Sequence, residues 1–327
     1  MNAYRSRRSF CRSSLLGTAL IPGLISLVGP VDAVEPFHSS PSTHMSLGLA
    51  AYSFREYFKN TSTPGSKDPP EGGPLDMLGF IDFCAAHSCE GAELTSYYFP
   101  PHVDSAYLLQ VKRHAFLKGI AISGTAVGNT FTHGPGAKHD ESMELVKRWI
   151  DHAAVLGAPH VRIFAGEPPK GMAHTEAQRN CIAAIEEVGD YAARKGVFLG
   201  IENHGGIVAD SKSLLEIVRA IKSPWVGINL DTGNFHTDDP YSDLERCAPY
   251  AVNVQFKAEL KPKNQALQPA DIPRTLKILQ QAGYRGYVTL EYESAEDPWK
   301  AVPRLLELLK QELSGLVKPR IGGAANP

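Results

Sequence analysis

The sequence predicts a (β/α)8 barrel behind an export signal, and three observations carry that prediction. Between Met45 and Leu313, eight short apolar stretches alternate with longer segments whose apolar residues recur every three or four positions. Connections from helix to strand are short and marked by glycine, whereas those from strand to helix are long and polar. No glycine-rich phosphate loop follows the first strand, where a nucleotide-binding open sheet would carry one. Eight units in about 270 residues suit a closed barrel, which takes about 250.

The elements follow in order. The strands are SLGLAAYSF from Ser46, CEGAELT from Cys89, IAISGTAV from Ile120 and HVRIFAG from His160, then VFLGIEN from Val197, WVGINLD from Trp225, AVNVQFK from Ala251 and YVTLEYE from Tyr287. Between them lie helical runs such as ESMELVKRWIDHAAVLG from Glu141 and TEAQRNCIAAIEEVGDYAARKG from Thr175, each able to bury one face. LGAPH, KGV, KSPW and AGYRGY return the chain from helix to strand. REYFKNTSTPGSKDPPEGGP, GNTFTHGPGAKHD, GEPPKGMAH and AELKPKNQALQPAD lead from strand to helix, and in such barrels the site is built from these loops. The first of them is either a lid over that end or a plain surface insertion.

Residues 1–33 stand apart. Paired arginines, Arg7 and Arg8, precede an apolar stretch from Leu15 to Val28 and the small-residue site Val31–Ala33. This resembles a cleavable twin-arginine signal; the apolar part is short for a spanning helix, which needs about 20 residues. The expected organisation is signal 1–33, linker 34–44, barrel 45–313 and a flexible tail 314–327, with the mature protein exported to the periplasm and not inserted in the membrane. Of five cysteines, Cys84, Cys89, Cys181 and Cys247 lie beyond the signal; their spacing matches no zinc pattern and reads as buried free thiols. A net charge of −2 gives no reason to expect nucleic acid. A homo-oligomer is left open.

The strand ends carry the chemistry. Alternation puts Val252, Val254 and Phe256 on one side of their strand and Asn253, Gln255 and Lys257 on the other. The same parity sets Val226, Ile228 and Leu230 against Asn229 and Asp231, Leu199 and Ile201 against Glu202, and Val288 and Leu290 against Thr289 and Glu291. Four successive strands thus aim Glu202, Asp231, Gln255 and Glu291 inward near their C-terminal ends. Three carboxylates in one barrel mouth repel one another and invite a cation between them. The four oxygen donors make an expected divalent-metal site favouring Mn2+ or Mg2+. For any one of the four alone, a hydrogen-bonded core residue is the simpler reading.

GIENHGG from Gly200, NLDTGNF from Asn229, VNVQFKAE from Val252 and GYVTLEYES from Gly286 resemble, in order and spacing, the metal-ligand segments of the xylose isomerase-like TIM-barrel superfamily. Each motif is weak alone; the ordered set is specific. The resemblance covers Met45 to Leu313. It implies one divalent ion, Mn2+ first, with Mg2+, Co2+ or Zn2+ as alternatives, held by Glu202, Asp231, Gln255 and Glu291. Gln255 and Asn234 depart from the pattern, since many members have histidine at both places. The resemblance further implies a sugar or keto-sugar substrate isomerised or epimerised through an enediolate, with Glu202 and Glu291 as base and acid.

His204, Asn234, Lys257, Glu93 and Arg162 are the candidate substrate-binding residues. The plainer readings are a capping hydrogen bond for His204, an ion pair with Glu259 for Lys257, and an interior salt bridge between Arg162 and an acid. Glu167 is a further inward candidate, and Tyr97, Tyr98 and Phe99 either stack on a sugar or pack under a loop. The competing functions are a lyase acting on 3-keto-glycosides by elimination and a non-catalytic sugar-binding barrel. An apurinic-site endonuclease would need several metal-binding histidines and a basic face, and the sequence offers neither.

Overall fold

The computed structural model describes residues 34–316, apart from 38–39, 42–43, 60, 62–63 and 71–74. The expected signal and most of the expected tail lie outside the described residues. All eight expected strands form. Seven of them are β1 (Ser46–Ala50), β2 (Gly91–Thr95), β3 (Ala121–Ala126), β4 (His160–Ile163), β5 (Phe198–Glu202), β6 (Val226–Asp231) and β7 (Ala251–Phe256). A two-stranded ribbon, β8 (Glu259–Leu260) with β9 (Gln268–Pro269), rises from the loop after β7, and β10 (Tyr287–Leu290) is the last barrel strand. The eight close in the order β1-β10-β7-β6-β5-β4-β3-β2, every pairing parallel.

The helices are α1 (Met77–Ala86), α2 (Ser105–Leu117), α3 (Ala137–Leu156), α4 (His174–Lys195), α5 (Ser211–Ala220), α6 (Pro240–Cys247), α7 (Ile272–Ala282) and α8 (Pro298–Leu316). Five begin on an aspartate whose carboxylate accepts a backbone N–H three residues on: Asp76, Asp104, Asp210, Asp239 and Asp271. Each cap satisfies a donor the helix cannot pair internally, typically contributing about 1 kcal/mol. The buried helix faces, such as Val146, Ile150 and Ala153 of α3 or Cys181, Ile185 and Val188 of α4, pack on the outward residues of the strands. Cys84, Cys89, Cys181 and Cys247 are free and buried, as expected. Among the described residues no helix is long and apolar enough to cross a membrane.

Two boundaries are sharper than the sequence suggested. The segment expected as a linker is packed: Val34 is buried and its N–H donates to the Ile221 carbonyl at 3.1 Å, and Phe37 meets Phe198 edge-on. The last helix runs to Leu316, past the expected boundary at 313, because Leu306, Leu309 and Leu313 continue its buried stripe. The first long loop is pinned at its base by Phe54, Tyr57 and Phe58, which pack against Phe80, Phe83, Tyr98 and Trp299.

Candidate functional site

The parity expected from the sequence holds. Inward residues meet at the C-terminal end of the barrel in two layers, a floor and a mouth. The floor is a closed ring of buried side chains. Asn253 donates to Glu93 and to Asn229, both at 2.8 Å. Asn229 donates to Gln255 Oε1 at 2.6 Å, and Gln255 Nε2 returns to Glu93 Oε1 at 2.7 Å. His160 lies below, its Nδ1–H donating to the Ser123 carbonyl at 3.0 Å and its Nε2 4.0 Å from Glu93. Burial lowers its pKa to about 4, so the ring is neutral. Burial also pushes Glu93 up to about 8; Glu291 adds to the rise, and the two amides and Arg162 oppose it.

The mouth holds the charges. Glu202 ends β5 with Oε2 2.9 Å from Arg162 Nε, and its Oε1 accepts from Asn234 at 2.9 Å. Gly205 and Gly206, both left-handed (φ +66° and +55°), turn the chain away immediately after it. A side chain on Gly206 would stand 2.4 Å from the Gly166 carbonyl oxygen, which explains the paired glycines. Lys257, just beyond β7, contacts Glu291 at 2.6 Å, Asp231 at 3.3 Å, and Glu293. Asp231 also accepts from the Gly233 N–H at 2.8 Å. Burial pushes Glu202 and Asp231 each up to about 7, with Arg162 and Lys257 respectively pulling back. Burial would lower the Lys257 ammonium, yet Asp231, Glu291 and Glu293 carry it well above the usual lysine range.

The four expected metal ligands therefore do not form an open ligand set. Gln255 is turned down into the floor, its amide oxygen and nitrogen both engaged. Glu202 is held by a guanidinium and an amide, and Asp231 and Glu291 by one ammonium. Among the described residues no three His, Cys, Asp or Glu side chains converge to hold an ion. The donor types suit a divalent metal, but their arrangement does not fit one. The physical reason is that Arg162 and Lys257 are long enough to reach the carboxylates from neighbouring strand ends and already pair with them.

The remaining candidates sort clearly. The interior salt bridge of Arg162 exists, and its acid is Glu202. Lys257 pairs with Asp231, Glu291 and Glu293; no ion pair with Glu259 forms. The exposed His204 ring packs on Phe164, and Arg162 lies over the same Phe164 ring at 4.0 Å. Tyr98 stacks on Phe58 and Phe99 packs against Trp149, so both serve packing, while Tyr97 packs edge-on against Tyr98. Glu167 is exposed at the rim of a cleft of about 650 Å3, also lined by Asn129, His133, Phe164, Glu202 and His204. A second, smaller cleft borders Asn234, Lys257 and Glu293. Glu293 and the floor role of His160 escaped the sequence reading; Glu293 shares the parity of Glu291, and that was its signal.

A model of the xylose isomerase-like TIM barrel family matches residues 81–311. Among solved structures, the chain resembles a 3-keto-D-glucoside 4-epimerase from E. coli (15% identity, 82% of this chain and 99% of that one, TM-score 0.62). It also resembles an L-ribulose 3-epimerase (14% identity, 83% and 95%, TM-score 0.65). A third is a xylose isomerase-like TIM barrel protein from Mycobacterium smegmatis in complex with magnesium (14% identity, 84% and 98%, TM-score 0.65). At these identities the likeness is one of fold. No curated protein matches the sequence significantly.

Proposed function

The chain belongs to the xylose isomerase-like TIM barrel family, and from that premise we propose that it isomerises or epimerises a sugar or keto-sugar by moving a proton on the carbon next to a carbonyl. The observation that carries this reading is the mouth itself. Carboxylates and fixed cations meet there beside an open cleft, at the end of the barrel where such enzymes work. The epimerases of similar fold support the substrate class.

Each step rests on this chain's own residues. A sugar reaching from the Glu202 cleft to the Lys257 cleft, past Asn234 between them, places its carbonyl oxygen near Lys257 and its adjacent C–H near Glu202. Glu202 borders the cleft and is the base; its raised pKa, about 7, lets it accept and return a proton near neutrality. Arg162 and Asn234 hold that carboxylate in place. As C–H breaks, negative charge develops on the carbonyl oxygen, and the Lys257 ammonium is the donor that stabilises it. Glu291, which accepts a hydrogen bond from Lys257, takes a proton from solvent and delivers it to the carbon in the second half-reaction, while Glu202 releases to solvent the proton it removed. Phe164 and His204 form the wall on which the sugar ring rests. The arginine pair, Arg7 and Arg8, supports export, so the substrate belongs outside the cytoplasm.

The test is a panel of free sugars, keto-sugars and 3-keto-glycosides incubated with the protein in D2O and followed by NMR. An epimer or isomer carrying deuterium at the exchanged carbon is the expected product. Glu202→Gln and Glu291→Gln should each slow exchange on the order of 10²-fold or more. Loss of the C1 substituent instead of inversion would make the protein a lyase. Normal turnover in both variants would overturn the assignment of base and acid.

A further inference from the structure

The family's fold comes with an expectation of a divalent ion, and the mouth of this barrel disagrees with it. Lys257 Nζ stands among the carboxylates that would have to coordinate the ion: 2.6 Å from Glu291, 3.3 Å from Asp231, and in contact with Glu293. Its stem is seated. A side chain on Gly233 would lie 2.7 Å from both Lys257 Cβ and Cγ, so the bare backbone there makes room for the lysine to enter. The Lys257 N–H is fixed by Thr232 Oγ1 at 2.9 Å. Lys257 is only 6% exposed, and three carboxylates surround its ammonium. An ammonium and a divalent cation sharing one set of oxygens at this range repel strongly. Gln255, the one neutral candidate ligand, spends its oxygen on Asn229 and its nitrogen on Glu93.

From this juxtaposition we propose that Lys257 takes the place of the divalent ion, and that this barrel performs its chemistry with the charge of its own side chain. The inference rests on reading the mouth as the working site, and it deepens that reading by saying what supplies the electrophile. The carboxylates Glu202, Asp231, Glu291 and Glu293 outnumber the cations Arg162 and Lys257, so loosely held cations will gather near the mouth. A screening atmosphere of this kind shows no preference among divalent ions and disperses with salt, whereas a coordination site does neither.

The experiment is a Mn2+ titration of the full-length folded protein, read by the EPR signal of free Mn2+ at about 0.15 M NaCl, where loose screening is weak. Metal content of protein grown in Mn2+-supplemented medium is measured alongside. The wild type is expected to bind no Mn2+ with a Kd below about 1 mM, and its turnover to survive EDTA. Lys257→Met is expected to bind about one Mn2+ per chain, because it uncovers Asp231 and Glu291; Lys257→Gln serves if the methionine variant does not fold, and Lys257→Arg should keep the ion out. A wild type that holds one ion per chain overturns the proposal. So does a folded neutral variant that still binds none, since Lys257 would then not be what occupies the place. The failure modes separate: turnover that requires added Mn2+ sinks this inference and leaves the isomerase reading standing. Absence of turnover on the whole panel, with the Mn2+ result as expected, does the reverse.

Discussion

Replacing Arg162 by methionine isolates the electrostatics of the mouth. The guanidinium sits 2.9 Å from Glu202, donates to the Val127 carbonyl at 2.8 Å and lies over Phe164. Loss of the donor and of the ring contact should cost about 1–3 kcal/mol at any pH. The rest depends on pH. Arg162 lowers the Glu202 pKa, so without it the folded-state value rises above its present level of about 7. The sign follows: the stabilisation Arg162 gives Glu202 is present above pH 7 and is lost as pH falls through it. An opposite charge at this distance shifts a carboxyl by about 1–3 units, or roughly 1.4–4 kcal/mol. At pH 6 the variant should show only the pH-independent loss. At pH 9 the gap in Tm should widen by at least about 3 °C, taking roughly 2–4 °C per kcal/mol for a domain of this size. Circular dichroism melts at the two pH values measure it, and adding Glu202→Gln to the variant should remove most of the widening, the remainder coming from Glu93, whose carboxyl Arg162 also holds down. An equal Tm gap at pH 6 and pH 9 would refute the reasoning, because Arg162 would then have no hold on the charge of Glu202.

Three further outcomes are expected. Gly124→Ala would place a Cβ 1.9 Å from His160 Cε1; it should destabilise the fold by about 2 kcal/mol or more, and His160→Ala in the same chain should recover part of that in urea melts. Asn234→Leu removes the donor to Glu202 Oε1 and should lower kcat/KM about 10-fold, on the scale of one hydrogen bond to a charged group; an unchanged value would make Asn234 a bystander. A precursor carrying Arg7→Lys and Arg8→Lys should remain in the cytoplasm on fractionation; equal export would remove the twin-arginine reading.

The barrel was readable because its signals are local. Short apolar runs bounded by polar loops mark each strand, and period-two alternation assigns faces without knowledge of the partner strand. That logic brought Glu202, Asp231, Gln255 and Glu291 to one end, and the structure agrees. It failed on where long side chains finish. Parity says that Gln255 and Lys257 share a face, but not that the amide turns down to Glu93 while the ammonium crosses to Glu291. Those choices depend on strand register, such as Asp231 beside Gln255 and Gln255 beside Thr289, which no single strand encodes. The packing of residues 34–37 was not legible for a similar reason. Val34 and Phe37 are too few apolar residues to announce an element, yet they cover Ile221 and Phe198.

The ring beneath the mouth has a consequence for descent. Its hydrogen bonds run one way, from Asn253 to Glu93 directly and by way of Asn229 and Gln255. Exchanging Gln255 alone for a histidine would replace the amide by a shorter, rigid ring whose donor and acceptor diverge, and would leave the buried Asn229 amide or one Glu93 oxygen without its present partner. Positions 93, 229, 253 and 255 therefore form a unit of inheritance: among relatives they should be found changed together or not at all. A lineage passing between a histidine and a glutamine at 255 must have crossed that gap in linked steps, carrying its neighbours with it.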